Sequence, residues 1–550
     1  MGGGFGGKES QGNALAVACA VAVRATGRPC KMRYDRDDDM VITGKRHDFR
    51  IGYRAGVDDT GRILGLSVRQ LARCGWAQDL SLAVCDRAML HADNAYHIPA
   101  LRVESHRLRT NTQSATAFRG FGGPQGVLGV ERVLDHVAHA VGRDPAEVRR
   151  ANFYAEVQAA GPGASGGDIS ARMKPQTTHY GMEVRDFILH GMLESLQKSG
   201  NLATRMSEKD KWNRENPILK RGIALTPVKF GISFTLSHRN QAGALVHVYQ
   251  DGSVQVNHGG TEMGQGLHRK VCQVAAEVFG ISADAVRITA TDTAKVPNAS
   301  ATAASSGADL NGMAVRAAAM TIRDRMAAHL AGLHQTDAAS VVFADGRVTM
   351  GGESLSFAKA AMQAYLDRIS LSSTGFYATP DIHWDRKAGR GRPFYYFAYG
   401  AALTEVVIDT LTGENRILRA DILHDCGDSL NPALDIGQIE GGYVQGAGWL
   451  TTEELVWDDH GRLRTHAPST YKIPACSDRP RIFNVALWDG PNREDTIHRS
   501  KAVGEPPLML GISAFLALSD ACAACGPNYP ALDAPATPER VLAAVKRARG

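Results

Sequence analysis

The 550-residue sequence lacks several features that would place it in a specialised class of protein. No apolar run approaches the ~20 residues of a membrane-spanning helix, because the richest, Ala14–Val23, is closed by Arg24. The net charge of +5 is small for this length and argues against nucleic-acid binding. No segment with the composition of a secretion signal opens the chain. We therefore expect a cytoplasmic protein that binds neither membrane nor nucleic acid.

Cysteines are few and scattered. Their number, nine, is odd, which is typical of a reducing compartment with mostly buried thiols. Cys522 and Cys525 form an isolated CxxC inside an apolar run, and without a second pair a zinc or redox role is disfavoured. No cysteine spacing is that of an iron–sulfur ligand set.

The remaining composition is that of an ordinary globular protein with 44% hydrophobic and 22% charged residues. Turn signals such as Asp59-Thr60-Gly61 and Asp251-Gly252 separate alternating segments and predict β-hairpins. The segment from Cys30 to Arg73 is predicted to consist of strands. The alternating βαβ pattern of a doubly wound fold is absent, so we expect an α+β fold with mixed or antiparallel sheets and packed helices.

Three glycine-rich stretches each run into a predicted helix. Gly2–Glu9 (GGGFGGKE) satisfies GxGxxG, but no strand precedes it, so a dinucleotide fold is not predicted. Thr116–Gly126 (TAFRGFGGPQG) leads into apolar residues at helical spacing that end at Gly142. Gly259–Gly266 (GGTEMGQG) precedes a similar helix that Gly280 ends.

These loops place backbone N–H groups at positive helix ends, which suits an anionic cofactor. Arg119 and the aromatic Phe121 lie in the second loop, and Gln265 stands at the entry to the third helix. The small, polar segment Pro297–Gly307 also permits close approach of a ligand. The alternative for each stretch is a tight loop or helix cap between core elements.

A rigid glutamate occurs near the C-terminus, where Glu505 lies between Gly504 and two prolines. If it is buried, it can act as a general base. The alternative is a carboxylate that stabilises a helix N-terminus through the dipole. Arg87 likewise has the alternative of an ion-paired surface arginine.

Together the motifs resemble, in order, the molybdenum-binding portion of the xanthine dehydrogenase branch of the molybdenum hydroxylase family. The resemblance extends from Gly2 to about Ala524. It implies an α+β fold of two elongated molybdopterin-binding domains: the remainder of an incomplete first domain at 1–185, a charged linker at 186–221 and a second domain at 222–550. The motifs are GGGFGGKE (2–9), DRA (86–88), TAFRGFGGPQG (116–126), GISFT (231–235), GGTEMGQG (259–266), TAAS (302–305), SLNPALDIGQIEG (429–441) and KAVGEPP (501–507).

The resemblance implies a role for particular residues at the cofactor. Glu505 matches the family's catalytic base. Phe5, Arg119, Gln265 and Ala304 match positions around the molybdenum and pterin. Of these, Phe5, Arg119 and Ala304 are expected around the metal, without a direct side-chain ligand to it.

The resemblance also implies a purine substrate, oxidised from hypoxanthine to xanthine to urate with oxygen derived from water. Glu9 and Arg87 match the polar pair that orients the purine. Phe121 and Phe234 match the aromatics on its two faces, and Thr235 lies beside them. An arginine can offset the negative charge that hydroxylation places on the ring.

The implied cofactors are a molybdenum–molybdopterin, with its dinucleotide form left open, and [2Fe–2S] and FAD on a partner chain. The expected assembly is a dimer of heterodimers. The chain departs from the family in lacking the N-terminal part of the first domain, and His238-Arg239 interrupts a segment that is more apolar in relatives. Two alternatives remain: an aldehyde-oxidising relative, and a truncated, catalytically silent structural fragment.

Overall fold

The computed structural model describes residues 4–156, 175–289, 291, 292, 295 and 299–550. Its α-helices are α1 (Asn13–Thr26), α2 (Arg36–Ile42), α3 (Ser81–Leu90), α4 (Gly123–Val141), α5 (Pro145–Ala151), α6 (Leu189–Ser199), α7 (Leu202–Glu215), α8 (Leu267–Phe279), α9 (Gly307–Leu333), α10 (Phe357–Leu366), α11 (Pro432–Thr451), α12 (Pro507–Leu510), α13 (Ile512–Ala523) and α14 (Pro538–Arg549).

The strands include several long pairs joined by tight turns. They are β1 (Phe49–Val57), β2 (Ile63–Gly75), β3 (Leu101–Arg109), β4 (Leu219–Ile232), β5 (Gln241–Val248), β6 (Val254–His258), β7 (Val286–Ile288), β8 (Val342–Ala344), β9 (Arg347–Met350), β10 (Glu353–Ser356), β11 (Ser372–Ala378), β12 (His383–Asp385), β13 (Arg390–Arg392), β14 (Tyr396–Asp409), β15 (Asn415–Asp425) and β16 (Ile482–Trp488).

A central sheet of order β16-β15-β14-β4 has both faces covered. Side chains alternate across a strand, so Ala398 and Ala402 of β14 face one core while Phe397 and Tyr399 face another. The first core contains α11, α12, α13 and α14, and the second contains α4 and α6. This sheet therefore joins the N-terminal and C-terminal parts of the chain.

Two other sheets flank these cores. In the sheet β1-β2-β3, β2 pairs antiparallel with β1 and parallel with β3. In the sheet β11-β5-β6-β7, β5 pairs antiparallel with β11 and β6, while β6 and β7 are parallel. Residues of α8, α9 and α10 share a core with the second of these sheets. The predicted α+β class with mixed sheets is confirmed.

Local signals predicted several of these elements correctly. The turn at Asp59-Thr60-Gly61 joins β1 to β2, and Gly142 and Gly280 end α4 and α8 with φ of 65° and 61°. The prediction that only strands occupy the segment after Cys30 is wrong, because α2 lies there. Asp35 caps α2 by accepting the Asp38 N–H at 2.8 Å.

The predicted charged linker at 186–221 contains α6, α7 and the start of β4. The proposed domain boundaries at 185 and 221 stay predictions. Among the residues that the structure describes, no helix combines the length and apolarity needed to cross a membrane.

Candidate active site

Glu505 lies in the turn before α12, where three distant segments of the chain meet. Its Oε1 accepts the Gly120 N–H at 3.1 Å, and its Oε2 accepts the Ser305 hydroxyl at 3.0 Å. The Glu505 N–H donates to the same Ser305 Oγ at 2.8 Å. The predicted base is thus half-buried, and its carboxylate is oriented by a main-chain donor and a hydroxyl donor.

Arg119 connects the loop Thr116–Gly126, named here the Arg119 loop, to the Glu505 turn. Its Nε donates to the Gly504 carbonyl at 2.6 Å, and its Nη1 donates to Gln445 Oε1 in α11 at 3.1 Å. Burial lowers the pKa of Arg119 to about 10, although the Glu505 carboxylate opposes this shift. Arg119 therefore stays cationic at neutral pH.

The Arg119 loop turns sharply because three successive residues, Gly120, Phe121 and Gly122, have positive φ angles of 93°, 51° and 95°. A Cβ at Gly122 would lie 2.0 Å from the Val84 carbonyl oxygen, so only glycine fits there. The loop consequently rests directly on α3, the helix that carries Arg87.

Other non-glycine residues near the site have left-handed backbone conformations. Phe5, Ala304 and Ser305 have φ of 53°, 56° and 58°. Each such residue costs about 1–3 kcal/mol, and such residues cluster at functional sites. Together with Phe121, these residues lie in three of the predicted loops, which supports a functional site here.

The first loop, described from Gly4 to Glu9, contacts two of the others. The Phe5 N–H donates to Met263 Sδ at 3.4 Å, and a Cβ at Gly6 would lie 3.2 Å from Phe118 Cα. Phe5 is 51% exposed, so its ring stays available to a ligand. Gly2 and Gly3 lie outside the described residues.

Gln265 makes its hydrogen bonds inside its own loop. Its Oε1 accepts the Met263 N–H at 2.5 Å, and its Nε2 donates to the Thr261 carbonyl at 2.8 Å. Sequence reasoning missed Glu262, whose carboxylate accepts N–H groups of Gly264, Gly266 and His268 at the start of α8. Burial would raise the pKa of Glu262, but these backbone donors lower it.

The segment that contains Ala304 is hydrogen-bonded to the loop Gly259–Gly266, named here the Gln265 loop, since the Thr261 N–H donates to Thr302 Oγ1 at 2.9 Å. Ala304 is buried, and Ser305 next to it contacts Glu505. Pro297 and Asn298 of this segment lie outside the described residues.

Arg87 is buried, with 2% exposure, and binds main-chain carbonyls. Its Nη1 donates to the Ser233 carbonyl at 3.0 Å, and its Nη2 donates to the Gly231 carbonyl. Burial lowers its pKa, and the Glu505 carboxylate opposes this shift. Among the described residues, the buried Arg87 Nε–H finds no hydrogen-bond partner.

The Arg87 bonds bring the segment of Phe234 and Thr235 to α3. Both residues are half-buried, and the Phe234 main chain is fixed by Asn240, which accepts its N–H at 2.8 Å. Glu9 is exposed and accepts the Gly6 N–H at 3.1 Å. Within the described ranges no hydrogen bond or ion pair joins Glu9 to Arg87, so their joint role in substrate binding stays a prediction.

A buried chain of hydrogen bonds behind the site was not predicted. The Tyr396 hydroxyl donates to Asp309 Oδ2 at 2.7 Å and accepts the Ala502 N–H at 3.0 Å. Burial raises the pKa of Asp309 to about 7. These residues are far apart in sequence, so no local pattern could have indicated the contact. Ser305, in contrast, could have been predicted as a site residue because it stands next to Ala304.

The site fits an anionic organic cofactor by the chemistry of its donors. Four helices, α4, α8, α9 and α12, begin at the loops that converge here, and helix N-termini attract anions through their N–H groups. A Cβ at Gly264 would meet nothing within 4 Å, so the Gln265 loop is open on that side. In the described ranges no three His, Cys, Asp or Glu side chains are grouped to hold a metal ion.

The sequence matches the molybdopterin cofactor-binding domain in two models, over residues 1–153 and 195–480. The chain therefore belongs to the molybdopterin cofactor-binding family, which supports a molybdenum cofactor. It is 45% identical to xanthine dehydrogenase/oxidase of Mus musculus and to xanthine dehydrogenase of Oryza sativa subsp. japonica, over 98% of this chain. It spans 38% of the length of each relative.

Solved structures share the fold. Quinoline 2-oxidoreductase from Pseudomonas putida 86 superposes with a TM-score of 0.83 at 24% identity, over 100% of this chain and 68% of the other. Aldehyde oxidoreductase from Desulfovibrio gigas superposes with a TM-score of 0.81 at 25% identity, over 99% of this chain and 54% of the other. The predicted resemblance to molybdenum hydroxylases, which are oxidoreductases, is confirmed.

Proposed function

We propose that this chain forms the cofactor- and substrate-binding part of a hydroxylase that oxidises purines, from hypoxanthine to xanthine to urate, with oxygen from water. The observation that carries the proposal is the Glu505 carboxylate, oriented by Gly120 and Ser305, in a chain 45% identical to xanthine dehydrogenases. When bound, the molybdenum cofactor would supply the two-electron redox chemistry.

Glu505 is the proposed general base, which takes the proton that the water-derived nucleophile loses. The Gly120 N–H and the Ser305 hydroxyl hold its two oxygens in place, so little reorganisation precedes proton transfer. The Arg119 loop, the Gln265 loop and the segment of Ala304 would hold the cofactor through main-chain N–H groups and Arg119. Phe5 would pack against it.

The proposed substrate site lies between α3 and the segment of Phe234. Phe121 and Phe234 would contact the two faces of the ring, an arrangement that flat aromatic ligands favour, with Thr235 beside them. The positive charge of the buried Arg87 would offset negative charge on the ring. Glu9 would bind the polar edge of the purine once it turns inward from its exposed position.

We further propose that the electrons leave through a separate cytoplasmic chain with [2Fe–2S] and FAD, in a dimer of heterodimers. This proposal leaves open whether the molybdopterin is in its dinucleotide form. The family resemblance supports these assignments.

The test is to isolate the native complex through an affinity tag on this chain and to measure molybdenum, iron, FAD and dye reduction. We expect stoichiometric molybdenum and dye reduction that depends on hypoxanthine or xanthine. A molybdenum-loaded complex that oxidises aromatic aldehydes but neither purine would overturn the purine assignment. A complex that retains no molybdenum would support the structural-fragment alternative.

A further inference from the structure

Two thiols from different elements meet beside α3, outside the groups assigned to catalysis. Cys74 lies near the end of β2 and Cys85 lies in α3, and their side chains share a small buried cluster with Ala72. Both are free thiols, and the Cys74 thiol donates to the Ala72 carbonyl at 3.5 Å. Direct contact between two cysteine side chains is what formation of a disulfide requires.

A histidine and a serine line the same cluster. His47 Nε2 and Ser81 Oγ are 2.8 Å apart, both side chains are buried, and Ser81 stands one turn before Cys85 in α3. The neighbouring Cys85, and then His47 and Ser81, lower the pKa of Cys74 to about 4 against the effect of burial. The neighbouring Cys74, together with burial, raises the pKa of Cys85.

The two sulfurs therefore have different chemistry. The thiolate is the reactive form of cysteine, and Cys74 is the group stabilised in that form. Cys74 also keeps 5% exposure, whereas Cys85 has 0%, so a small oxidant reaches Cys74 first. Cys85 is placed to react second.

We propose that Cys74 and Cys85 are a site of reversible oxidation, at which hydrogen peroxide converts the pair into a disulfide. In the first step the Cys74 sulfur attacks peroxide, an S–O bond forms, the O–O bond breaks and water leaves, giving a sulfenic acid. In the second step the Cys85 sulfur attacks Cys74, the S–S bond forms and the S–O bond breaks, releasing a second water. Two thiols and one peroxide thus give one disulfide and two waters.

The disulfide would link β2 to α3 next to the proposed substrate site. Arg87 stands two residues after Cys85, and the Arg119 loop rests on the carbonyl of Val84. The proposal does not depend on the proposed activity, because the chemistry of the pair can be measured on the chain itself.

The sequence allows a direct assay. Arg73 and Arg87 flank the pair, so trypsin releases Cys74 and Cys85 in a single peptide, residues 74–87. The 550-residue chain is treated with hydrogen peroxide, denatured, labelled with N-ethylmaleimide, digested and analysed by mass spectrometry. We expect this peptide to lose two hydrogens, carry no label, and regain two labels after reduction with dithiothreitol.

An internal comparison is provided by Cys522 and Cys525, since burial raises the pKa of both thiols, that of Cys522 to about 12. These two should remain fully labelled under the same treatment. Two labels on peptide 74–87 after peroxide, or oxidation of Cys522 and Cys525 at the same rate, would overturn the proposal.

Variants then separate the two steps. In C85S, Cys74 should stop at the sulfenic acid and be trapped by dimedone, whereas in C74S the remaining Cys85 should stay unreacted. His47→Phe should slow disulfide formation roughly tenfold, because the side chain that helps to lower the pKa of Cys74 is lost. Circular dichroism tests whether each variant is folded. If a variant is not folded, the mass-spectrometric assay of the wild-type chain decides the proposal. Trapping of Cys85 in C74S at the wild-type rate would contradict the assigned order.

Discussion

Glu505 and Ser305 are joined by two hydrogen bonds in opposite directions: the serine hydroxyl donates to the carboxylate, and the glutamate N–H donates to the same hydroxyl oxygen. Ser305 has φ of 58°, so its backbone is held in a strained conformation by its surroundings. The base and the segment of Ala304 are therefore positioned as one unit, although they are about 200 residues apart.

The first prediction concerns Glu505→Gln in the cofactor-loaded enzyme. The amide keeps the shape of the side chain but cannot accept the proton, so purine turnover should fall about 10²–10⁴-fold while substrate binding persists. Steady-state kinetics and molybdenum content are the measurements, with Glu208→Gln on the exposed side of α7 as the matched control. Near-normal turnover in a molybdenum-loaded variant would exclude Glu505 as the base.

The second prediction concerns Arg87→Met. The variant loses hydrogen bonds to the Gly231 and Ser233 carbonyls, and bonds to charged groups are worth about 1.5–3 kcal/mol each. The free energy of unfolding should therefore fall, and purine turnover should fall more than turnover of an aromatic aldehyde, which has no polar edge to orient. Exposed Arg109→Met is the control. Equal loss with both substrates would indicate a purely structural arginine.

Part of this architecture follows from local sequence signals and part does not. The glycines that end α4 and α8 and the turn between β1 and β2 were predictable, because each depends on the conformation of a few neighbouring residues. The strand prediction after Cys30 is wrong, because Asp35 caps the short helix α2 there.

The candidate site likewise contains residues that the sequence indicates and contacts that it does not. Sequence motifs indicated Glu505 and Arg119, but not their partners, which come from segments hundreds of residues away. The carbonyls that hold Arg87 are main-chain atoms, and no residue type in a sequence marks them. Contacts of this kind are set by how the sheets and helices pack.

The third prediction is a pH dependence of stability that arises from Asp309. Its pKa of about 7 in the folded chain lies above the ordinary value near 3.9, so the folded state holds a proton that the unfolded state has lost between these values. The free energy of unfolding should therefore fall as pH rises from about 4 to 7, on the order of 1.4 kcal/mol per pH unit.

Asp309→Asn mimics the protonated form and should flatten this slope. Urea unfolding at several pH values measures it, with Tyr396→Phe to separate loss of the hydroxyl from titration of the carboxyl. Tyr396 and Lys270 face the carboxyl, and both are retained in the asparagine variant. An unchanged slope in Asp309→Asn would assign the titration to another group.

The fourth prediction compares two glycines. Gly122→Ala forces a side chain into a conformation with φ of 95° and places its Cβ 2.0 Å from the Val84 carbonyl oxygen, so it should destabilise the chain by more than about 1 kcal/mol. Gly437→Ala in α11 meets nothing within 4 Å and should stabilise by about 0.5–1 kcal/mol. Thermal unfolding of both variants tests the pair, and equal effects would contradict the packing of the Arg119 loop on α3.

The last prediction concerns α1, an apolar helix in which no residue is buried. Val17 and Val21 are 62% and 63% exposed and stand four residues apart, so they lie on one face. Contiguous exposed apolar surface promotes association with other chains. The double variant Val17→Gln/Val21→Gln should therefore reduce self-association of the chain in sedimentation velocity while leaving its unfolding temperature nearly unchanged, because these side chains contribute no buried contacts.

The control is Leu411→Gln in the turn between β14 and β15, which removes a leucine that is 66% exposed and should not alter association. Unchanged association in the double variant would place the self-association contact on another surface, and a loss of several degrees of stability would mean that α1 packs against the chain in solution.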